Sequence, residues 1–198
     1  TNGTVVVGDV FLAYSGSASG VLTLEGGTFR ATSISSPTLT NNTTSVLDLN
    51  GGTLQAGANN SSFVSSLAYA LVDAGGAVID SQGFNIGIPQ VLTDAGGGLT
   101  KLGSGTLTLT GANNYSGDTT ISGGALLTTT ASTTPGSVTL ADGTEFGVFV
   151  LSAGGQYSAN NLTLGSSVGS TLNFSMGNFG NPDSAHAPIV VGGTLSNT

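Results

Sequence analysis

The sequence predicts an all-β fold, a single-stranded parallel β-helix (β-solenoid) whose turns lie between Gly-Gly corners. Three observations predict it. Two stretches align without a gap at an offset of 25, VLTLEGGTFRA at 21–31 and VLDLNGGTLQA at 46–56. Further Gly-Gly pairs follow at Gly75-Gly76, Gly97-Gly98 and Gly123-Gly124, at successive offsets of 24, 22 and 26. The period expected of one turn is therefore 22 to 26. Short runs between the corners alternate apolar and polar residues, as in Leu107-Thr-Leu109, the period of a half-buried strand. A fixed period of this size, built from short strands, is the mark of a solenoid.

Each unit holds an alternating run, a glycine corner and a second run. Val, Ile, Leu and Thr supply strand preference, and paired glycines permit the left-handed backbone of a corner. In the first two units Leu22 and Leu47, and Leu24 and Leu49, should point inward on adjacent turns, with Thr, Ser and Asn in columns outside. LVDAGGAVIDS at 71–81 is a looser third copy. Phe63, Leu67 and Leu71 recur every four residues, which allows at most a short helical turn near 62–67. In GTLTLTGANNYSGDTTISGGALL, residues 105–127, Leu107, Leu109 and Ile121 should face inward. There NNYSG is a turn, with Asn113 and Asn114 suited to a left-handed backbone and to local backbone bonds, and Gly123-Gly124 is a corner. The pattern fades after VTLADGTEFGV at 138–148. The amphipathic helices of a βαβ fold are missing, and an antiparallel sandwich would not require so regular a period. Residues 1–198 read as one solenoid domain, a segment or subunit of a longer fibre.

Only 6 % of the residues are charged, against roughly 25 % in an ordinary soluble domain. The formal charge is −8, with Arg30 and Lys101 the two basic residues, which argues against nucleic acid and anionic membrane surfaces as partners. No apolar run is long enough to span a bilayer as a helix. Cysteine is absent, which suits a chain that crosses an oxidising compartment unfolded.

The stretch GGLTKLGSGTLTLTGANNYSGDTTISGGALL at 97–127 resembles the autotransporter-associated β-strand repeat, also called the passenger-associated transport repeat. The preceding GGAVIDSQGFNIGIPQVLTDAGG is similar to what flanks that repeat, and the rest matches in style only. The resemblance implies a right-handed parallel β-helix, a bacterial surface or extracellular address and no catalytic residues.

No catalytic, cofactor-binding or metal-ligating residue is assigned. The single histidine, His186, lies three residues after Asp183 in a Pro-containing loop and reads as an exposed loop residue. One histidine without cysteine does not make a usual zinc site, and no GxSxG elbow is present. Glu25 and Asp48 precede their Gly-Gly corners by one and three residues, so stacked turns bring them near each other. Arg30 and Lys101 both lie three residues after a Gly-Gly pair and would share a face about three turns apart. Such acids and bases are the raw material of a carbohydrate-active β-helix such as a polysaccharide lyase, the alternative reading. Most aromatics suit a stacked core, and Tyr115 is the best candidate for an exposed one. The leading expectation is a non-enzymatic structural or adhesive module, a stalk or filament unit. Its partners would be copies of itself stacked head to tail, or host and matrix surfaces and polysaccharide.

Overall fold

A computed structural model describes residues 3–14, 18–37, 44–176 and 186–197. All regular structure among them is β, and every strand pairing is parallel. One sheet of nine strands runs the length of the chain, from Thr4–Val6 through Thr28–Ala31, Thr53–Ala56, Ala77–Asp80, Leu99–Leu102, Thr119–Ile121, Val138–Leu140 and Leu162–Leu164 to Leu195–Asn197. A second wall begins as a small sheet, Asp9–Phe11, Ser33–Ser35 and Val64–Ser65. It continues as a five-stranded sheet, Ile86–Ile88, Thr106–Leu109, Ala125–Thr129, Glu145–Phe149 and Thr171–Ser175. The third wall is a four-stranded sheet, Ser19–Leu24, Thr44–Leu49, Tyr69–Asp73 and Leu92–Ala95. The chain is thus the β-solenoid the sequence predicts.

Register fixes the columns. In the nine-stranded sheet the outward position reads Thr4, Thr28, Thr53, Val78, Thr100, Thr120, Thr139, Thr163 and Ser196, a hydroxyl ladder broken once. The next position points inward and reads Val5, Phe29, Leu54, Ile79, Lys101, Ile121 and Leu140. Leu22 pairs with Leu47 and Leu24 with Leu49, as expected, and Leu47 and Leu49 are 0 % exposed. Leu107, Leu109 and Ile121 also face inward.

The turn length departs from the expectation. Along the hydroxyl ladder, the sequence offsets between successive partners run 24, 25, 25, 22, 20, 19, 24 and 33. Gly123-Gly124 therefore does not stack on Gly97-Gly98. A Cβ on Gly123 would meet the carbonyl oxygen of Gly103, and one on Gly124, at φ +63°, would collide with that of Gly105. The offset of 26 joined glycines from different corners. The short turns arise because the third wall has no strand between Leu92–Ala95 and Tyr157–Ala159, which pairs in parallel with Ile189–Val191; residues 110–118 and 130–137 form tight irregular corners instead.

One further expectation is met at its lower limit and one is corrected. Residues 62–67 contain the strand Val64–Ser65 and no helix; Phe63 and Leu67 are buried, but Leu71 sits between buried Ala70 and Val72 on the outer side of its strand. The four-residue spacing was accidental. Asn113 and Asn114 are not left-handed; the positive-φ non-glycine residues among those described are Ala13, Ser66 and Gln82. The two asparagine side chains reach across to a neighbouring turn, where the N–H of Leu92 donates to Asn113 Oδ1 at 2.8 Å and that of Asp94 to Asn114 Oδ1 at 3.1 Å.

Candidate functional site

Asparagine stitching recurs at the corners. The N–H of Gly75 donates to Asn50 Oδ1 at 2.8 Å, that of Asn85 to Asn59 Oδ1 at 2.8 Å, and that of Thr194 to Asn161 Oδ1 at 2.8 Å. A corner lacks ladder partners for some backbone groups, and a short amide on the adjacent turn supplies them. In the sequence only Asn113 and Asn114 were singled out, with bonds expected to local backbone rather than to a neighbouring turn.

The two basic residues do not share a face. Arg30 aligns with Gln55, Asp80 and Leu102 in an outward column, whereas Lys101 occupies the inward column, 0 % exposed. Counting from Gly-Gly pairs misplaced Lys101 because Val78, not Ala77, pairs with Thr53, a one-residue slip at the third corner. Its stem continues the apolar column, and Nζ donates to the carbonyls of Leu102 at 2.8 Å, Gly103 at 2.9 Å and Gly123 at 3.1 Å. Burial lowers its pKa from 10.5 to about 8, opposed by Asp80. With its three donors engaged, Lys101 clamps two consecutive corners and has no path to an external substrate.

Glu25 and Asp48 approach as expected, but not in register. Asp48 pairs with Thr23 and Leu71, and Glu25 lies one position past the Leu24–Leu49 pair. Burial, then the charges of Asp73 and Glu25, raise the pKa of Asp48, and its buried Oδ1 has no hydrogen-bond partner. Asp9 and Asp94 go the other way. Bonds from Ser33 and Thr32 lower Asp9, and bonds from Ser116 and the N–H of Gly96 lower Asp94. No set of three acidic or histidine side chains among the described residues is grouped to hold a metal ion. His186 is exposed, and Asp183 lies outside the described residues.

Tyr115 is buried at 2 % exposure, contrary to expectation. Its hydroxyl bonds to Thr119 Oγ1 at 2.8 Å, and burial raises its pKa. The polar look of NNYSG concealed a ring that fills the interior where the third wall has no strand. Around it lie buried Asn113, Thr128, Ser132 and Thr134, with Asn113 Nδ2 donating to Ser132 Oγ at 3.4 Å and Thr134 Oγ1 bonded to the Tyr157 hydroxyl at 2.7 Å. Tyr157 also meets Phe146 edge-on, with ring centroids 5.3 Å apart. The exposed aromatics include Phe11, Tyr14 and Tyr69.

The described surface also carries a groove of about 520 Å3, lined by Asn59, Asn60, Ser61, Asn85, Ile86, Gly87, Thr108 and Thr110. It lies where residues 59–61 cross the outer face of the second wall, and nothing in the sequence singled it out.

A parallel β-solenoid whose tightest turns enclose a polar core is thus the class of molecule defined. Within it, residues 99–128 match the family described as passenger-associated-transport-repeat, and the match falls in the short-turn region. The chain is also similar to the adhesin BmaC autotransporter of Brucella suis biovar 1 (strain 1330), with 57 % identity over 44 residues. That alignment covers 21 % of this chain and 1 % of the length of the adhesin. No solved structure matches.

Proposed function

We propose that this chain is a non-enzymatic module of a passenger-type bacterial surface protein, a stalk segment that presents adhesive surface away from the cell. The observation that carries this reading is the unbroken nine-stranded parallel sheet with its passenger-associated repeat in the middle. At strand spacing it extends about 38 Å. Both ends leave inward or edge residues open: Val5 is 52 % exposed, Val21 64 % and Leu195 63 %. Such ends are completed by further turns or by another copy, because an uncovered rung exposes apolar core and unpaired backbone. The adhesive part rests on the similarity to a protein named as an adhesin. Enclosure of Lys101 and separation of Arg30 from the carboxylates around Asp48 weigh against lyase chemistry.

The test is display of the chain on a bacterial surface, scored for attachment to host-cell and matrix-coated plates against a display carrier alone. Equal attachment would sink the adhesive reading. Incubation with acidic and neutral polysaccharides plus calcium addresses chemistry; release of unsaturated or reducing ends would overturn the non-enzymatic one. Negative-stain microscopy of the isolated chain separates end-to-end filaments from monomers that require flanking turns.

A further inference from the structure

We propose that the outer face of the second wall binds a neutral polysaccharide chain in the groove framed by Asn59, Asn85, Thr108 and Thr110. This names a ligand class for the adhesive reading above and rests on it.

The groove of about 520 Å3 does not stand alone. A second hollow of about 340 Å3 is lined by residues that include Leu127, Gly147, Phe149 and Asn173. Register places both on one outward column: Gly87, Thr108, Leu127, Gly147 and Asn173 are successive partners. The hollows therefore follow the solenoid axis across five strands, about 19 Å at ordinary strand spacing. That is room for a short length of polymer lying along the axis. Two of the five positions are glycine, and both are buried under neighbours, Gly87 under the backbone of Ser61 and Gly147 under the Leu127 side chain, so the track runs beside them. Over Gly87 the backbone of Ser61 crosses so closely that a Cβ would collide with its carbonyl oxygen, and this crossing forms one wall.

The polar groups are held in place before any ligand arrives. Asn59 Oδ1 accepts from the N–H of Asn85 at 2.8 Å, and Asn85 Oδ1 accepts from the N–H of Thr106 at 3.2 Å. Both amide planes are thereby fixed, and neither Nδ2 has a protein acceptor among the described residues. Exposed Thr110 and half-buried Thr108 add hydroxyls that donate and accept. Sugar hydroxyls also do both, so oriented amides and hydroxyls match them. Leu127 and Phe149, both half-buried, offer apolar surface to ring C–H faces.

Charge selects the class. None of the residues lining the groove is ionisable, so no Arg or Lys awaits an acidic sugar. In the same sheet Glu145 accepts from Asn173 Nδ2 at 2.9 Å, and its charge would repel a polyanion. A protein partner fits less well, since interface anchors are aromatic or Arg side chains in desolvated pockets, and this groove is lined mainly by Asn, Ser and Thr.

The experiment is calorimetric titration of the 198-residue chain with cellohexaose, maltohexaose, xylohexaose and hexagalacturonate. Saturable binding of at least one neutral hexasaccharide is expected, with none of hexagalacturonate. Replacing both hydroxyls, Thr108→Val with Thr110→Val, keeps shape and strand preference and should weaken binding by about tenfold or more. The matched pair Thr120→Val with Thr139→Val, on the ladder of the nine-stranded sheet, should leave affinity unchanged. Absence of neutral binding, preference for hexagalacturonate, or equal loss in both pairs would overturn the groove assignment. Repeating the display assay with the Thr108/Thr110 pair separates the two ideas. Attachment that survives replacement leaves the adhesive reading standing without this groove. Saturable glycan binding without cell attachment leaves the groove standing without adhesion.

Discussion

The early turns and the turns around residues 99–138 differ in their third walls and in what they enclose. In the early turns the wall is a ladder, where Leu22, Leu47 and Ala70 stack in register and each turn is long, as from Thr28 to Thr53 and on to Val78. In the later turns the ladder stops and the chain comes round sooner, from Thr100 to Thr120 and then to Thr139. Asn113, Tyr115, Thr128 and Ser132 occupy the inside there. An apolar column closes a long turn through burial alone. A short turn bends the chain too sharply for a strand, leaves backbone groups without ladder partners and needs buried polar side chains to meet them. The passenger-associated repeat falls in the second kind of turn.

The largest expected effect breaks the apolar side of this comparison. Leu49→Asp puts an unpaired carboxylate where exposure is 0 % and should cost about 4 kcal/mol or more, read as a lowered denaturation midpoint. A parent-like midpoint would mean the inward register is wrong.

Lys101→Met tests the polar side. Methionine fills the column but leaves the carbonyls of Gly103 and Gly123 without their ammonium donor, at about 2–3 kcal/mol. The pH dependence carries the sign. Folded Lys101 releases its proton near pH 8 and the unfolded chain near 10.5, so in between the unfolded state holds more protons and this residue makes stability rise with pH. Chemical denaturation at several alkaline pH values should show that slope in the parent and not in the methionine variant.

Tyr115→Phe sharpens the comparison further. It keeps the ring and removes the bond to Thr119, for a loss of about 1 kcal/mol in the denaturation midpoint. The intact Tyr115 phenol should ionise only when the chain unfolds, visible as an absorbance step coincident with alkaline unfolding.

The smallest effect belongs to the outside of the long turns. Asp48 holds its proton more tightly folded than unfolded, so folding is favoured in acid and loses that support as pH rises through the raised value. Asp48→Asn should stabilise the neutral-pH protein by under about 1 kcal/mol, and the gain should vanish below the carboxylate range. A gain that persisted in acid would assign the effect to packing rather than charge.

This contrast also explains what the sequence disclosed. Period-two alternation located most interior leucines, because Leu47, Leu49, Leu107 and Leu109 obey the strand rule. Counting glycines worked while each corner was the same length, and failed at Gly123-Gly124 once turns shortened. Lys101 was misplaced by a one-residue slip at a corner, which reverses the face of a residue. Tyr115 and Asn113 were misread because local polarity suggests solvent, whereas the groups around them come from neighbouring turns. The groove was invisible because residues 59–61 and Thr108 meet only through register.

The stacking of turns along one axis has a mechanical consequence. Tension along that axis loads the bonds between neighbouring turns one interface after another, since each turn contacts only its neighbours. A turn that yields frees its whole contour, about 65 Å for the stretch from Thr120 to Thr139 and about 85 Å for that from Thr28 to Thr53. Pulled from its ends, this chain should lengthen in discrete steps of unequal size, and the shortest steps should come from the polar-cored turns.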